Sequence, residues 1–242
     1  MYIVFLFIIL CYYAVLSFLA ARKINKLKGK VISENIRIKL YSQSIIEGWI
    51  PALFVLLICL FSSIGFNDVG LGQLSFNYNI WFNLIIFVIV GVLLALLLYQ
   101  IILYLVSEEY RKETKEEFAK EAEESHYDAV MNNILIPRTK KEKQLFFGVS
   151  LTAGICEELV FRGFLFFIFQ SIFPNLSIIV ILIIASVIFG IFHSYQGFSG
   201  VIKTTLIGVL FGCLYVVTGS IIPGIILHFI VDFSSVFVLS EE

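Results

Sequence analysis

Long apolar runs separated by short polar segments make up most of this chain. About 20 consecutive apolar residues cross the hydrocarbon core of a membrane as a helix. Runs of roughly that length lie at residues 2–21, 45–64, 80–106, 145–173, 176–195, 203–218 and 221–239. The sixth run is short and could begin before Lys203. The pattern predicts an all-α polytopic membrane helix bundle with about seven transmembrane helices.

The basic residues of the loops predict the orientation of these helices. Residues 22–44 carry seven Lys and Arg, residues 107–143 carry eight, and residues 65–79 carry none. Because basic loops stay on the cytoplasmic side, we expect residues 22–44 and 107–143 in the cytoplasm and residues 65–79 outside. No basic residue precedes the first apolar run, which is longer than a usual signal-peptide core, so we expect it to remain as a transmembrane helix.

The same pattern divides the chain into three regions. We predict N-terminal transmembrane helices over residues 1–106, a charged cytoplasmic loop over 107–143 and a catalytic helix bundle over 144–242. Repeated Glu and Lys from Glu108 to Glu124 predict a solvated or interfacial helix within the loop, with partner docking as the alternative.

Composition narrows the class of protein further. The chain is 60% hydrophobic with a mean hydropathy of +0.97, which is typical of a multi-pass membrane protein. We therefore expect it to be embedded in the lipid bilayer. A net charge of −1 argues against a nucleic-acid partner. Four single cysteines suggest helix packing rather than disulfides. The Ile, Phe, Lys and Asn-rich composition suggests a low-GC bacterium as the source. We therefore expect the protein in the cell membrane of a bacterium.

Apart from Glu47, charged residues are excluded from the apolar runs, with one clustered exception. Fifteen of the 17 Lys and Arg lie in the two basic loops. From Leu145 onwards, five charged residues and two histidines interrupt the apolar sequence before the terminal Glu241 and Glu242: Glu157, Glu158, Arg162, His193, Lys203, His228 and Asp232. A charge in hydrocarbon costs several kcal/mol, so it persists mainly where it is paired or used. The exception therefore indicates a functional site.

The first charged string, from Glu157 to Arg162, lies about a dozen residues into the fourth run. Glu158 and Arg162 are four residues apart, a spacing that suits a salt bridge on one helix face. Glu157 is rotated by about 100° from Glu158 and points elsewhere. We expect Glu158 and Arg162 to support the site and Glu157 to be the working group; a purely structural clamp between helices is the alternative.

Two further strings each place a histidine in an apolar helix. His193 ends the string that begins at Phe189, and His228 shares a helix face with Asp232, which could fix the imidazole tautomer. Glu157 and His228 each lie roughly 18 Å from the cytoplasmic end of their spans, so they can meet. His193 sits near a helix end, and we expect residues 194–200, with Gly197 and Gly200, to turn within the protein.

Together the three strings resemble a known family. EExxxR from Glu157, FxxxH from Phe189 and HxxxD from His228 resemble, in order and spacing, the motifs of the CPBP (or Abi) family. That family groups type II CAAX prenyl endopeptidases with bacteriocin-processing and bacteriocin-immunity proteins. The resemblance covers about 100 residues, from roughly Phe146 onwards. The third motif ends in Asn or Asp in this family, and here it ends in Asp232.

The resemblance implies an intramembrane endopeptidase. In this family the first glutamate and the fifth-span histidine, here Glu157 and His193, are proposed to activate a water. The second histidine and the Asn or Asp, here His228 and Asp232, are proposed to stabilise the oxyanion. An ionised Asp232 cannot donate to an oxyanion, so it would have to be protonated or hold His228 as the donor.

Metal use is open, because family members have been described both as metalloproteases and as metal-independent glutamate proteases. The chain has no HExxH helix. Glu157, His193 and His228 could still hold zinc with an open position. We favour a site without a metal.

The expected substrate is a peptide precursor or a small membrane protein. Two other functions remain as alternatives. One is a non-proteolytic immunity or partner-binding protein of the membrane. The other is a proton-coupled transporter, which the missing repeat symmetry disfavours.

Overall fold

The computed structural model of the protein describes residues 1–27, 30, 32–76, 79–124 and 136–239 as a helical bundle, with no strand among them. Residues 125–135 of the predicted charged loop lie outside the described residues. In chain order the helices are α1 (Tyr2–Leu27), α2 (Glu34–Phe61), α3 (Ile80–Val106), α4 (Glu108–Glu124), α5 (Lys140–Glu158), a π-helical turn (Leu159–Phe164), α6 (Leu165–Ile172), α7 (Ile178–Phe192), a 3₁₀ turn (Ser194–Gln196), α8 (Gly197–Thr218) and α9 (Ile222–Leu239). The predicted all-α fold is confirmed, and so is the helix at Glu108–Glu124.

Four helical segments of the described chain are long and apolar enough to cross a membrane: Tyr2–Leu27, Glu34–Phe61, Ile80–Val106 and Ser194–Thr218. Helices α7 and α9 are apolar but have shorter described spans. The helix that runs through α5 and α6 carries the charged string of the sequence. These features fit a multi-pass membrane protein, and the count of seven spans stays a prediction.

The central element of the bundle is the continuous helix formed by α5, the π-helical turn and α6. Helix α5 packs against α2 and α9, while α6 packs against α1 and α7. Phe161, Phe164 and Leu165 of the central helix are fully buried in one core together with Ile9 of α1 and Val55 of α2. The N-terminal helices and the C-terminal half therefore share one apolar core.

A buried ion pair ties α2 to the start of α5, outside the predicted spans. Nε of Arg37 lies 2.8 Å from Oε1 of Glu142, and their side chains are 5% and 0% exposed. The other carboxylate oxygen of Glu142 accepts from the backbone N–H groups of Arg138 and Thr139, and the Thr139 hydroxyl caps the helix in return. The sequence predicts Arg37 in the basic loop of residues 22–44, but α2 and α5 both begin before the apolar runs do, and Arg37 is buried in a helix.

The surroundings of Glu142 favour its ionised form. Burial raises the pKa of this carboxyl, but hydrogen bonds from Arg138 and Thr139 and the Arg37 guanidinium outweigh burial, so the pKa lies below its usual range. A carboxyl with a lowered folded-state pKa stabilises the fold above its ordinary pKa and loses that contribution as the pH falls through the lowered value. The α2–α5 junction is therefore an acid-sensitive part of the fold.

The segment between α2 and α3 folds back over the bundle on the side away from the basic loops. Val69 is fully buried, and a Cβ atom on Gly163 in the π-helical turn would overlap the backbone carbonyl of Val69. The carbonyl of Gly70 accepts from the backbone N–H of Ile221, and the N–H of Ser75 donates to the carbonyl of Thr218. These contacts fix the segment against the π-helical turn and the α8–α9 junction.

Gly163→Ala tests this close approach. The added methyl group must displace the backbone at Val69 or the central helix, and overpacking of this kind costs about 1–3 kcal/mol. We expect a lower thermal unfolding midpoint of the purified protein in detergent. Gly91→Ala is the matched control, because a Cβ at Gly91 of α3 meets nothing within 4 Å. An unchanged midpoint for Gly163→Ala would show that the segment between α2 and α3 does not pack against the π-helical turn as described.

Candidate active site

The π-helical turn in the central helix begins directly after the two glutamates of the first string. Glu157 and Glu158 end α5, and Arg162 lies within the turn. A π-turn inserts one residue per turn into a helix and occurs often at functional sites. Even so, Nη1 of Arg162 lies 2.8 Å from Oε1 of Glu158, with side chains 2% and 1% exposed. The spacing of the sequence thus places this pair correctly.

Arg162 is held by the neighbouring helices as well as by Glu158. Its Nη2 donates to the carbonyl of Gly208 in α8 at 3.3 Å. Its guanidinium carbon lies 4.4 Å from the ring centroid of Phe189 and 5.3 Å from that of Phe211. Such cation–π contacts are stronger when they are desolvated. The guanidinium therefore joins the central helix to α7 and α8.

Glu158 has a second partner on α9. Its Oε1 lies 3.0 Å from Nδ1 of His228, so one carboxylate oxygen serves both Arg162 and the imidazole. The other oxygen, Oε2, is buried with no hydrogen-bond partner among the described residues. A Cβ on Gly224 would lie 2.8 Å from this oxygen. Glycine at position 224 therefore lets α9 approach Glu158 closely.

Glu157 faces away from the Glu158–Arg162 ion pair and towards His193 and His228. Its Oε2 lies 3.8 Å from Nε2 of His193 and 3.9 Å from Nε2 of His228, and its side chain is 22% exposed. These separations exceed a direct hydrogen bond. A water that bridges two acceptor atoms in a bent geometry fits separations of this size. The partly exposed Glu157 and the two histidines therefore leave room for a water between them.

His193 is oriented by its own helix. Its Nδ1 lies 2.8 Å from the carbonyl oxygen of Phe189. A carbonyl oxygen only accepts, so Nδ1 carries the hydrogen and the neutral ring presents the lone pair of Nε2 to Glu157. The 3₁₀ turn that follows ends at Gly197, whose φ of 80° suits glycine. The expectation that residues 194–200 turn within the protein is wrong: none of Ser194–Gln196 is buried, Phe198 is largely exposed, and Gly200 is helical and lies within α8.

The His228 tautomer is set by Glu158 rather than by Asp232. Because Nδ1 of His228 donates to Glu158, the ring presents Nε2 to Glu157 and to Oδ2 of Asp232, which lies 3.6 Å away. The helical spacing correctly places Asp232 beside His228. It does not reveal the contact with Glu158, since the two residues are 70 positions apart in sequence.

Aromatic side chains that the sequence analysis did not single out complete the site. Phe211 lies against the imidazole of His228 at 4.9 Å, and Tyr195 lies 5.6 Å from the ring of His193. Tyr13 of α1 stacks on Phe192, the residue before His193. Apolar and aromatic residues are so frequent in this chain that nothing in the sequence distinguishes these three.

The residue types of the site, one glutamate and two histidines, are ones that zinc accepts as ligands. Among the described residues, no group of three or more His, Cys, Asp or Glu forms a ready-made metal cluster. However, Oε2 of Glu157 lies within 3.9 Å of Nε2 of both His193 and His228. Both imidazoles donate a hydrogen bond from Nδ1–H, His193 to a carbonyl and His228 to a carboxylate, as zinc-binding histidines usually do with their second nitrogen. These three residues are therefore the ones that would hold a metal.

Comparison with known proteins gives one match. Residues 141–234 match the family model described as type II CAAX prenyl endopeptidase Rce1-like. The match confirms the resemblance indicated by the three motifs, and it contains all six predicted site residues. No curated protein and no solved structure matches the chain.

Proposed function

We propose, from the match of residues 141–234 to the family model of type II CAAX prenyl endopeptidase Rce1-like proteins, that this protein is an intramembrane endopeptidase. The observation that carries the proposal is the convergence of Glu157 and two histidines from three different helices. Glu157 is the general base, His193 helps to hold the attacking water, and His228 stabilises the oxyanion. Glu158, Arg162 and Asp232 position these groups.

The proposed reaction begins with a water between Glu157 and His193. The water donates one hydrogen to Oε2 of Glu157 and the other to Nε2 of His193. Glu157 takes a proton from the water as the water oxygen bonds to the scissile carbonyl carbon. The π electrons of the carbonyl group move to the carbonyl oxygen, which becomes the oxyanion. The C–N bond then breaks, and Glu157 gives its proton to the leaving amine nitrogen. A positioned general base of this kind contributes about 10²–10⁴-fold in rate.

The oxyanion is stabilised by His228. In its protonated form, His228 donates Nδ1–H to Glu158 and is able to donate Nε2–H to the developing oxyanion. Asp232, 3.6 Å from the same nitrogen, balances the charge of the imidazolium. This arrangement gives Asp232 a role without requiring it to donate a hydrogen bond itself.

The proposed substrates are peptide precursors or small membrane proteins at the cell membrane of a bacterium. A comparative membrane peptidome of cells with the wild type and with Glu157→Ala tests this. We expect at least one uncleaved precursor to accumulate in the variant while its product disappears. Identical peptidomes, with the variant expressed at wild-type level, would favour the non-proteolytic binding or immunity function instead.

We propose that hydrolysis needs no metal. If zinc is bound, Glu157, His193 and His228 would hold it, and it would polarise the scissile carbonyl and lower the pKa of a water. The residues of the chain keep their orientation in either case, because Phe189 and Glu158 hold the imidazoles.

Metal analysis beside an activity assay decides this point. Without a metal, we expect the purified protein to cleave in the presence of a chelator. His228→Asn should then retain part of the activity, because an amide can still donate to an oxyanion. Stoichiometric zinc that tracks activity, and that is lost in both His193→Ala and His228→Ala, would overturn the metal-free proposal and leave the protease function intact.

A further inference from the structure

A buried hydroxyl from outside the family-matched segment reaches the proposed site. Tyr13 lies on α1, and its hydroxyl oxygen is buried with no hydrogen-bond partner among the described residues. A buried donor without an acceptor is unfavourable, so such groups are rare unless they have a use. The hydrolytic site as described above assigns this hydroxyl no role.

The ring of Tyr13 is held between two side chains that flank the site. Its centroid lies 4.8 Å from that of Phe161, which follows Glu157 by four residues, and 5.5 Å from that of Phe192, which precedes His193. One turn further along α1, Ser17 hydrogen-bonds to Ser194, which follows His193, at 3.0 Å. The Tyr13–Ser17 face of α1 thus lies against the elements that carry Glu157 and His193.

Glu157 is the acceptor that this hydroxyl fits. Glu157 lies one turn before Phe161, whose ring packs against Tyr13. Glu157, Cys156 and Tyr12 are the groups whose charge acts on the phenol. A thiol is only a weak acceptor. Tyr12 already donates its own hydroxyl to the carbonyl of Glu47 at 2.7 Å. A carboxylate is the strongest hydrogen-bond acceptor of the three.

We infer that Tyr13 is a positioning residue of the proposed site, whose hydroxyl donates a hydrogen bond to Glu157 and orients that carboxylate towards the attacking water. The inference rests on the proposed function. It also assigns a role in the site to α1, which lies outside residues 141–234. The hydroxyl has no partner in the part of the chain that the structure describes, so the bond requires the partly exposed Glu157 side chain to turn towards Tyr13.

Tyr13→Phe tests the inference because an idle hydroxyl and a positioning hydroxyl predict opposite results. Removal of an idle, unpartnered hydroxyl leaves kcat unchanged and keeps or raises the unfolding midpoint. Removal of a positioning hydroxyl lowers kcat about 10–100-fold, as small misplacements of reacting groups do. KM should stay the same, and the midpoint should not fall. Wild-type kcat in Tyr13→Phe would overturn the inference.

Tyr12→Phe is the matched control on the neighbouring residue. It removes a hydroxyl that has a partner, the carbonyl of Glu47. We expect Tyr12→Phe to lower the unfolding midpoint and to leave kcat at the wild-type value. A fall in kcat for both variants, together with lower midpoints for both, would show a general effect of α1 packing and contradict a specific role for Tyr13.

Infrared difference spectra separate this inference from the proposed function. The carboxylate band that disappears in Glu157→Gln reports the Glu157 hydrogen bonds. We expect this band to shift in Tyr13→Phe and to stay in place in Tyr12→Phe, even if no peptide is cleaved. An unshifted band in an active enzyme refutes the role of Tyr13 alone. A shifted band in a protein without peptidase activity refutes the proposed function, and with it the catalytic purpose of the Tyr13–Glu157 hydrogen bond, but not the bond itself.

Discussion

Glu157→Gln should reduce peptide cleavage by about 10²–10⁴-fold, the usual contribution of a general base. Glutamine has nearly the same shape as glutamate but cannot take a proton from the attacking water. Because Glu157 is partly exposed and its Oε2 approaches the histidines only at 3.8 and 3.9 Å, its loss should leave the fold intact. Initial cleavage rates and folded yield of the purified variant measure the two effects separately.

Glu47→Gln is the matched control for Glu157→Gln. Glu47 is also an acid within an apolar helix, where it accepts a hydrogen bond from Gln43 at 2.6 Å. The structure places it outside the cluster of Glu157 and the histidines, so we expect wild-type cleavage from this variant. Full proteolysis by Glu157→Gln itself would show that another group is the base.

Arg162→Ala should have the largest effect on folding. It leaves Glu158 buried without its guanidinium, and removal of one partner from a buried ion pair costs about 3–5 kcal/mol. The variant also loses the contacts of Arg162 with Phe189 and Phe211. We expect a low yield of monodisperse protein in detergent and a much lower unfolding midpoint of the part that survives.

Two further variants separate the buried charge from simple truncation of an arginine. Arg22→Ala removes a guanidinium that lies 5.6 Å from the ring of Phe18, and a contact of this kind is worth about 0.5–1 kcal/mol at an exposed site. Glu158→Gln combined with Arg162→Met removes both charges and should recover part of the folded yield. No recovery in the double variant would mean that shape, rather than the unpaired charge, dominates at this position.

The sequence predicts best those features that depend on neighbours along one helix. The apolar runs give the all-helical fold, because each helix satisfies its own backbone in hydrocarbon. The four-residue spacings give the Glu158–Arg162 pair and the closeness of His228 to Asp232. The exclusion of charge from apolar runs identifies the cluster itself, since a charge in such a run is costly.

Contacts between distant segments could not be read from the sequence. Arg37 looks like an ordinary loop arginine until the fold brings it to Glu142, 105 positions away. Glu158 looks like the partner of Arg162 alone, although it also fixes the His228 ring. The π-helical turn leaves no trace in a pattern of 3.6-residue periodicity. In each case the information lies in how the helices pack, which periodicity along one helix does not contain.

The Arg37–Glu142 pair has a consequence for how the protein can be divided. Glu142 belongs to the segment that matches the family, whereas Arg37 does not. A fragment of residues 141–234 alone would carry a buried carboxylate without its counter-ion, and it would expose the faces of Phe161 and Gly163 that α1 and Val69 cover. A chimera that joins residues 141–234 to different N-terminal helices would have the same two defects, an unpaired Glu142 carboxylate and uncovered faces of Phe161 and Gly163. The contacts that bury residues 141–234 therefore extend beyond the family-matched segment, into residues 1–76.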